Sequence, residues 1–230
     1  MGAVQARLPL WERHLGRLVG TAARLGLPFD PTPELLGAAV DLLLRNGHGD
    51  DVLRLALVPA AERVHVVLES RARGPAGAVL LVPTVVVRRP DDPPGDCKAA
   101  PRRFYDLVRQ QAQDAQADDG IVVGLDGAVL ETSVANLWLR IDGEWVTPPL
   151  DGRVLPGIAR AVLLERAHAV GLRVAERACH LGDLHRADAL AVSNAVHGPR
   201  PAHLCGSEPT GAPAVAAELV PLWRAALAGA

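Results

Sequence analysis

The sequence predicts an α/β chain in two parts, and three observations lead there. Near the N-terminus, Leu10 to Leu25 and Leu35 to Leu44 carry apolar residues at helical spacing. Runs rich in valine and leucine follow at Val52–Val58, Arg63–Glu69 and Ala78–Val87, and strand and helix patterns then alternate toward the C-terminus. Between the halves lies Pro90-Asp-Asp-Pro-Pro-Gly95, where proline removes backbone donors and glycine resists ordering, so neither a helix nor a ladder can continue. A small N-terminal α/β domain over residues 1–93 and a larger C-terminal domain over 94–230 are therefore expected.

In the first helix Leu10, Leu15, Leu18, Ala22 and Leu25 share a face, and Gly26 with Pro28 closes it. Thr32-Pro33-Glu34 reads as the next helix start, with the hydroxyl capping free amides and proline in the first turn. Pro59–Glu62 joins the first two strands. The nearly continuous apolarity of Ala78–Val87 predicts a strand buried on both faces. Beyond the linker, Pro101–Ala115 is helical, and Ile121–Leu125, Val129–Ser133, Asn136–Ile141 and Glu144–Thr147 are short strands. Asp126-Gly127 and Asp142-Gly143 suit the tight hairpin turns that need positive φ. Gly157–Val170 reads as a helix, Arg173–Cys179 as a strand, Asp183–Ala187 as a helical turn, Ala189–Ser193 as a strand and Ala214–Leu227 as a closing helix.

Composition narrows the classes of function. A chain of 230 residues can bury a sizeable core, and a net charge of −2 with scattered arginines leaves no nucleic-acid footprint. The apolar stretch Gly77–Val87 contains Pro83 and is too short to span a bilayer, and Met1–Leu10 has neither the basic start nor the apolar run of a signal peptide. Cys97, Cys179 and Cys205 are odd in number and lack metal-ligand spacing, which points to a reducing cytoplasm and no metal. A small-molecule substrate is expected, with no nucleic acid and no membrane.

Lysine and arginine together number 24, and Lys98 is the only lysine. An amine can lose its proton and attack a carbonyl, which a guanidinium in a protein cannot do. Lys98 is therefore a candidate for covalent chemistry, against the plainer reading of an ordinary surface lysine. Cys97 beside it would point to the opposite side of an extended segment and is read as structural.

Downstream come Glu131-Thr-Ser-Val-Ala-Asn-Leu-Trp138, Thr147-Pro-Pro-Leu150 and Leu155-Pro-Gly-Ile-Ala-Arg160, in that order. Upstream stands His14-Leu-Gly-Arg17-Leu18, and near the far end Ser193-Asn194-Ala195 is followed by Gly198 and Pro201. Together these resemble the signature of the class IV aminotransferases, the pyridoxal-phosphate enzymes of fold type IV, a family that includes branched-chain and D-amino-acid aminotransferases and aminodeoxychorismate lyase. The resemblance implies a small α/β domain and a larger domain with a β-barrel-like core and flanking helices. It implies pyridoxal 5'-phosphate as cofactor and a homodimer. Lys98 would bond to the cofactor's aldehyde and later move protons, its pKa lowered by burial and positive neighbours. Glu131 would pair with the pyridine nitrogen. Gly157, Ile158 and Ala159 would cradle the phosphate at a helix start with Arg17 as its cation, and Asn194 with Ala195 would form a second cradle.

The chain departs from the family pattern in places. Relatives often carry a hydroxyl residue where Ala159 and Ala195 stand, so fewer hydrogen bonds to phosphate are expected. Relatives also have further strands before the His-x-x-Arg helix, so either the true start lies upstream or the small domain is simplified, and it looks shortened at its N-terminus. The tyrosine that branched-chain aminotransferases carry shortly after the lysine is replaced by Pro101-Arg102-Arg103-Phe104, with Tyr105 slightly late. The sequence looks more like the lyases, whose substrate bears two carboxylates that Arg88, Arg89, Arg102 and Arg103 could bind, if these are not surface arginines. A lyase acting on 4-amino-4-deoxychorismate is thus the leading expectation. A transaminase of small branched-chain or D-amino acids is the alternative, and a degenerate partner-binding relative the third.

Overall fold

The structure, a computed structural model, describes every residue except Glu62, Pro90, Asp91, Pro93, Pro101, Pro209, Thr210 and Ala230. Parts of the expected Pro59–Glu62 turn, of the Pro90–Gly95 linker and of the Pro101 helix start therefore lie outside the described residues. Two compact units emerge, Met1–Pro75 with Leu227–Ala230, and Ala76–Ala226. The division comes ahead of residue 93 because the third strand pairs with strands of the second unit.

In the first unit, α1 (Trp11–Arg24) and α2 (Glu34–Arg45) precede an antiparallel pair, β1 (Val52–Ala60) and β2 (Arg63–Arg71). Ala3, Leu8, Trp11, Ala39, Leu43 and Leu53 form its core. The start of α2 has no side-chain cap. Thr32 bonds instead to the Glu34 carboxylate, which is held below its usual range first by its own backbone amide and then by that hydroxyl.

In the second unit the strands β3 (Val79–Arg88), β4 (Asp119–Gly124), β5 (Ala128–Thr132), β6 (Asn136–Ile141), β10 (Ala189–Asn194) and β11 (Gly198–Leu204) close into a six-stranded barrel in the order β6-β10-β11-β3-β4-β5, with β5 returning to β6. The short strands β7 (Glu144–Thr147), β8 (Val174–Glu176) and β9 (Cys179–His180) extend the sheet. Strand alternation sorts the side chains: Ile121, Val129, Leu137, Leu139, Leu190 and Val192 belong to the main core. Ala128, Leu130 and Val122 pack with Val108 of helix α3 (Arg103–Asp114). Helix α4 (Ile158–Ala169) follows β7, and the short α5 (Leu181–Arg186) follows β9.

Three elements differ from expectation, each for a local reason. β3 is not buried on both faces, because its register with β4 shifts between Pro83 and Val87 and leaves Val85 82% exposed. The Val85 amide is satisfied by Gln111 Oε1 at 3.0 Å. β11 is a strand that the sequence pattern does not announce, since it carries Pro199 and Pro201. They sit at alternate positions opposite Ser193 and Ala191, so their missing donors fall on one side, where pairing with β3 begins only at Ala202. The closing helix is broken into α6 (Ala212–Ala214), a π-helical turn over Val215–Leu219 and α7 (Val220–Ala228). Pro221 cannot donate to the preceding turn, which accounts for the wider winding there. Glu218 in that turn accepts from Arg140 Nε and Nη2, each at 3.1 Å, and from Trp145 Nε1 at 2.6 Å.

Candidate active site

Glu131 ends up in the barrel wall because β5 and β6 are joined by a turn so short that Glu131 and Asn136 become cross-strand partners. Thr132 makes the turn. Its amide donates to the Ala135 carbonyl at 2.9 Å, and its hydroxyl accepts from the Ala135 amide at 3.1 Å. One strand further, Asn136 is paired with Ser193, so Glu131, Asn136 and Ser193 form a row across β5, β6 and β10. Two sequence motifs far apart in the chain, Glu131–Trp138 and Ser193–Ala195, thus meet in the barrel wall.

Both Glu131 oxygens have protein donors. Oε1 accepts from the Tyr105 hydroxyl at 2.6 Å, and Oε2 accepts from the Leu155 amide at 3.1 Å and Asn136 Nδ2 at 3.4 Å. Asn136 Nδ2 also donates to the Leu155 carbonyl at 2.9 Å, which clamps the turn before α4 to the β5–β6 hairpin. Glu131 is 3% exposed, and burial pushes its carboxyl up to about 7. Tyr105, the Leu155 amide and the charges of Arg88 and Lys98 oppose that rise.

The start of α4 leaves its first amides without a side-chain cap, an arrangement that could take an anion. Gly157 precedes it in an extended conformation. A Cβ at Gly157 would overlap Asn136 Oδ1, so only glycine lets the turn sit this close to the hairpin. Ile158 and Ala159 are buried in the first turn. At the Ser193–Gly198 turn, Asn194 Oδ1 takes the amides of Val196 and His197, each at 3.0 Å. A second cradle cannot therefore use those two amides, and Ala195 is left as the contributor beside the Asn194 amide group.

Lys98 is exposed, so the burial expected around it is absent. The reason is its turn: the Gly95 amide donates to the Gly152 carbonyl at 3.1 Å, and a Cβ at Gly95 would overlap the Arg153 carbonyl. Arg153 is itself anchored by Asp126 and Asp151. The lysine segment is thereby fixed against the loop that leads to α4, with Lys98 in electrostatic reach of Glu131. Arg17 lies on α1 in the first unit, half-buried, and desolvation lowers its pKa.

The four arginines near the lysine separate cleanly. Arg88 is buried with its guanidinium 4.3 Å from the Phe104 ring centre and 5.3 Å from that of Tyr105. Arg102 stacks on Tyr105 at 5.0 Å and donates to the Ser133 carbonyl. Arg89 and Arg103 are exposed. Sequence reasoning assigned no role to Asn136, Leu155 or Tyr105. Asn136 was signalled by the short hairpin and Leu155 by the Leu155-Pro-Gly turn before a helical pattern, whereas nothing local marks Tyr105. Among the described residues no group of three or more histidine, cysteine or carboxylate side chains could hold a metal ion, and no helix is long and apolar enough to cross a membrane.

The barrel with an anion-ready helix start beside a buried carboxylate and a lysine is the architecture of fold type IV. The family model described as amino-transferase class IV matches residues 1–205, and the chain belongs to that family, whose cofactor is pyridoxal 5'-phosphate. Branched-chain-amino-acid aminotransferase-like protein 2 of Arabidopsis thaliana is 30% identical over 197 residues, covering 77% of this chain and 35% of its own length. Among solved structures, a candidate 4-amino-4-deoxychorismate lyase from Legionella pneumophila superposes with a TM-score of 0.90 at 20% identity, over 98% of this chain and 88% of the other. A bacterial branched-chain amino acid aminotransferase complexed with N-(5'-phosphopyridoxyl)-L-glutamate gives 0.83 at 21% identity, over 99% and 83%. The chain spans about a third to a half of the length of the curated relatives it matches.

Proposed function

We propose that the chain is a pyridoxal-phosphate lyase that converts 4-amino-4-deoxychorismate to 4-aminobenzoate and pyruvate. The observation that carries the cofactor reading is Glu131, a buried carboxylate bonded to the Leu155 amide at the mouth of an uncapped helix and in reach of Lys98. A buried carboxylate with a raised pKa lacks a full positive partner, and a protonated pyridine nitrogen supplies one. The donor set around α4 fits the phosphate for the same reason, since free amides and the helix dipole favour an anion.

When bound, the cofactor supplies an aldehyde that takes up an amine and a ring that delocalises the electron pair left by bond cleavage. Lys98 would hold that aldehyde through its amine; once the substrate's amine displaces it, the freed Nζ would take the substrate's ring C4 proton and could return a proton to the three-carbon enolate that leaves as pyruvate. The amides of Ile158 and Ala159 would hold the phosphate, with Gly157 permitting their approach, and Asn194 with Ala195 would add contacts. Arg17 is assigned as the phosphate's cation on family resemblance. Arg88 and Arg102, gathered about Tyr105, favour a substrate with two carboxylates. A second reading, a transaminase using Lys98 as proton carrier, is favoured by the branched-chain aminotransferase relatives.

The test is the visible absorbance of the purified chain with added pyridoxal phosphate, followed by borohydride reduction and mapping of the label to Lys98. Product analysis then separates pyruvate release from amino transfer. No spectral change with added cofactor sinks both readings.

A further inference from the structure

Tyr105 sits in the first turn of α3, edge-on to Phe104, with ring centres 5.3 Å apart. Its ring is flanked by the guanidinium groups of Arg88 and Arg102, and its hydroxyl makes the shortest of the contacts to Glu131, 2.6 Å to Oε1. The two donors on Oε2, from Leu155 and Asn136, hold the other side of the same carboxylate. Glu131 is thereby gripped from helix, turn and neighbouring strand together.

We propose that Tyr105 is a positioning residue for the cofactor's ring nitrogen: its hydroxyl, by donating to Oε1, fixes the orientation of the Glu131 carboxylate and favours its ionised form. This rests on the reading that Glu131 receives the pyridine nitrogen. A protonated carboxyl would present a donor where the ring nitrogen needs an acceptor, so the charge state of Glu131 decides whether the site can take the ring in its electron-withdrawing form.

The surrounding charges agree with that division of labour. Arg88 and Lys98 face Glu131 and favour the carboxylate, while Arg88 and Arg102 face Tyr105 and favour the phenolate. Burial and the adjacent Glu131 outweigh the two arginines at the phenol and push its pKa above its ordinary value, so Tyr105 remains a donor across the neutral range. The competing account makes Tyr105 only an anchor for α3, since its ring packs against the cluster of Val108, Val122 and Leu130. Tyr105→Phe keeps that ring and removes the hydroxyl alone.

Infrared difference spectra of the full chain without cofactor, collected between about pH 5 and 9, follow the protonated carboxyl band, assigned through its loss in Glu131→Gln. In Tyr105→Phe the midpoint should rise by about one pH unit, a roughly tenfold gain in proton affinity. An unchanged midpoint overturns the proposal. With pyridoxal phosphate added and absorbance read, Tyr105→Phe should weaken binding roughly tenfold near neutral pH and less above the raised midpoint, where Glu131 is ionised in both proteins. Equal affinity of the two proteins at both pH values also overturns it. A wild-type chain that takes up no pyridoxal phosphate refutes the functional reading and the cofactor half of the proposal with it, whereas the infrared midpoints decide the Tyr105–Glu131 half without any cofactor.

Discussion

Replacing Glu131 with glutamine should change how stability depends on pH, in a direction the structure fixes. The carboxyl moves from 4.5 in the reference state to about 7 in the folded chain, so the folded state holds the proton more tightly than the unfolded one. Its contribution is then fully present below about pH 4.5 and lost as pH rises through 7. At about 1.4 kcal/mol per pH unit, the loss is on the order of 3 kcal/mol by pH 8. Glutamine carries no charge and should remove this slope. Urea unfolding at pH 5 to 8 measures it, with fluorescence from the fully buried Trp138 and Trp145 reporting on the barrel unit. The quantity of interest is the difference between wild type and Glu131→Gln at each pH, since other titrating groups cancel in it. That difference should shift by about 2.5 kcal/mol in favour of the variant between the two ends, since part of the contribution is already lost by pH 5. A difference that stays flat to within about 0.5 kcal/mol would mean that Glu131 is not a desolvated charge, and the reasoning about the site would fail with it.

Gly157→Ala places a methyl on Asn136 Oδ1, and displacing Asn136 removes its bonds to Leu155 and Glu131. A stability loss of about 2 to 4 kcal/mol by urea unfolding is expected, together with loosened cofactor. Lys98→Ala should leave stability within about 0.5 kcal/mol, because the residue is exposed, while abolishing turnover and borohydride labelling. Ala195→Ser adds a hydroxyl at a turn whose neighbouring amides are already taken by Asn194, and should tighten pyridoxal phosphate by about 1 kcal/mol, read by absorbance titration. Exposed Val58 and Val66 on the two-stranded β1–β2 sheet support the expectation of a homodimer; light scattering that finds an active monomer at micromolar concentration would contradict it.

The parts of the site that could be read from sequence are those whose geometry is local. A glutamate and an asparagine separated by a four-residue turn are bound to face each other once both flanking segments are strands, and Leu155-Pro-Gly157 before a helical pattern announces an open helix start. Tyr105 escaped because its partner is 26 residues away and reaches it only through the packing of α3 on the barrel. β11 escaped because proline's cost in a strand depends on which side its missing donor falls, and that side is a property of the neighbours. The exposure of Val85 and of Lys98 has the same origin. A register shift and a turn held by the backbone of a distant loop are tertiary facts, and neither leaves a trace in hydrophobic pattern.

Glu131 is held in a state that is costly without a ligand, and that cost connects the fold to its proposed use. Three hydrogen-bond donors surround the carboxylate, yet burial still leaves its pKa raised, so they do not fully replace the water it has lost. A cation arriving at the site therefore recovers energy that the chain alone cannot. A ligand at a hundred times its dissociation constant stabilises a folded protein by about 2.7 kcal/mol, comparable to the destabilisation of about 3 kcal/mol assigned to ionised Glu131 at pH 8. Bound pyridoxal phosphate, with its ring nitrogen protonated against Glu131, should accordingly flatten the pH dependence of wild-type stability, while inorganic phosphate at the α4 start should raise stability and leave the slope intact. If phosphate alone flattens the slope, the charge relieved is not that of Glu131, and the pairing of this carboxylate with a pyridine nitrogen is wrong.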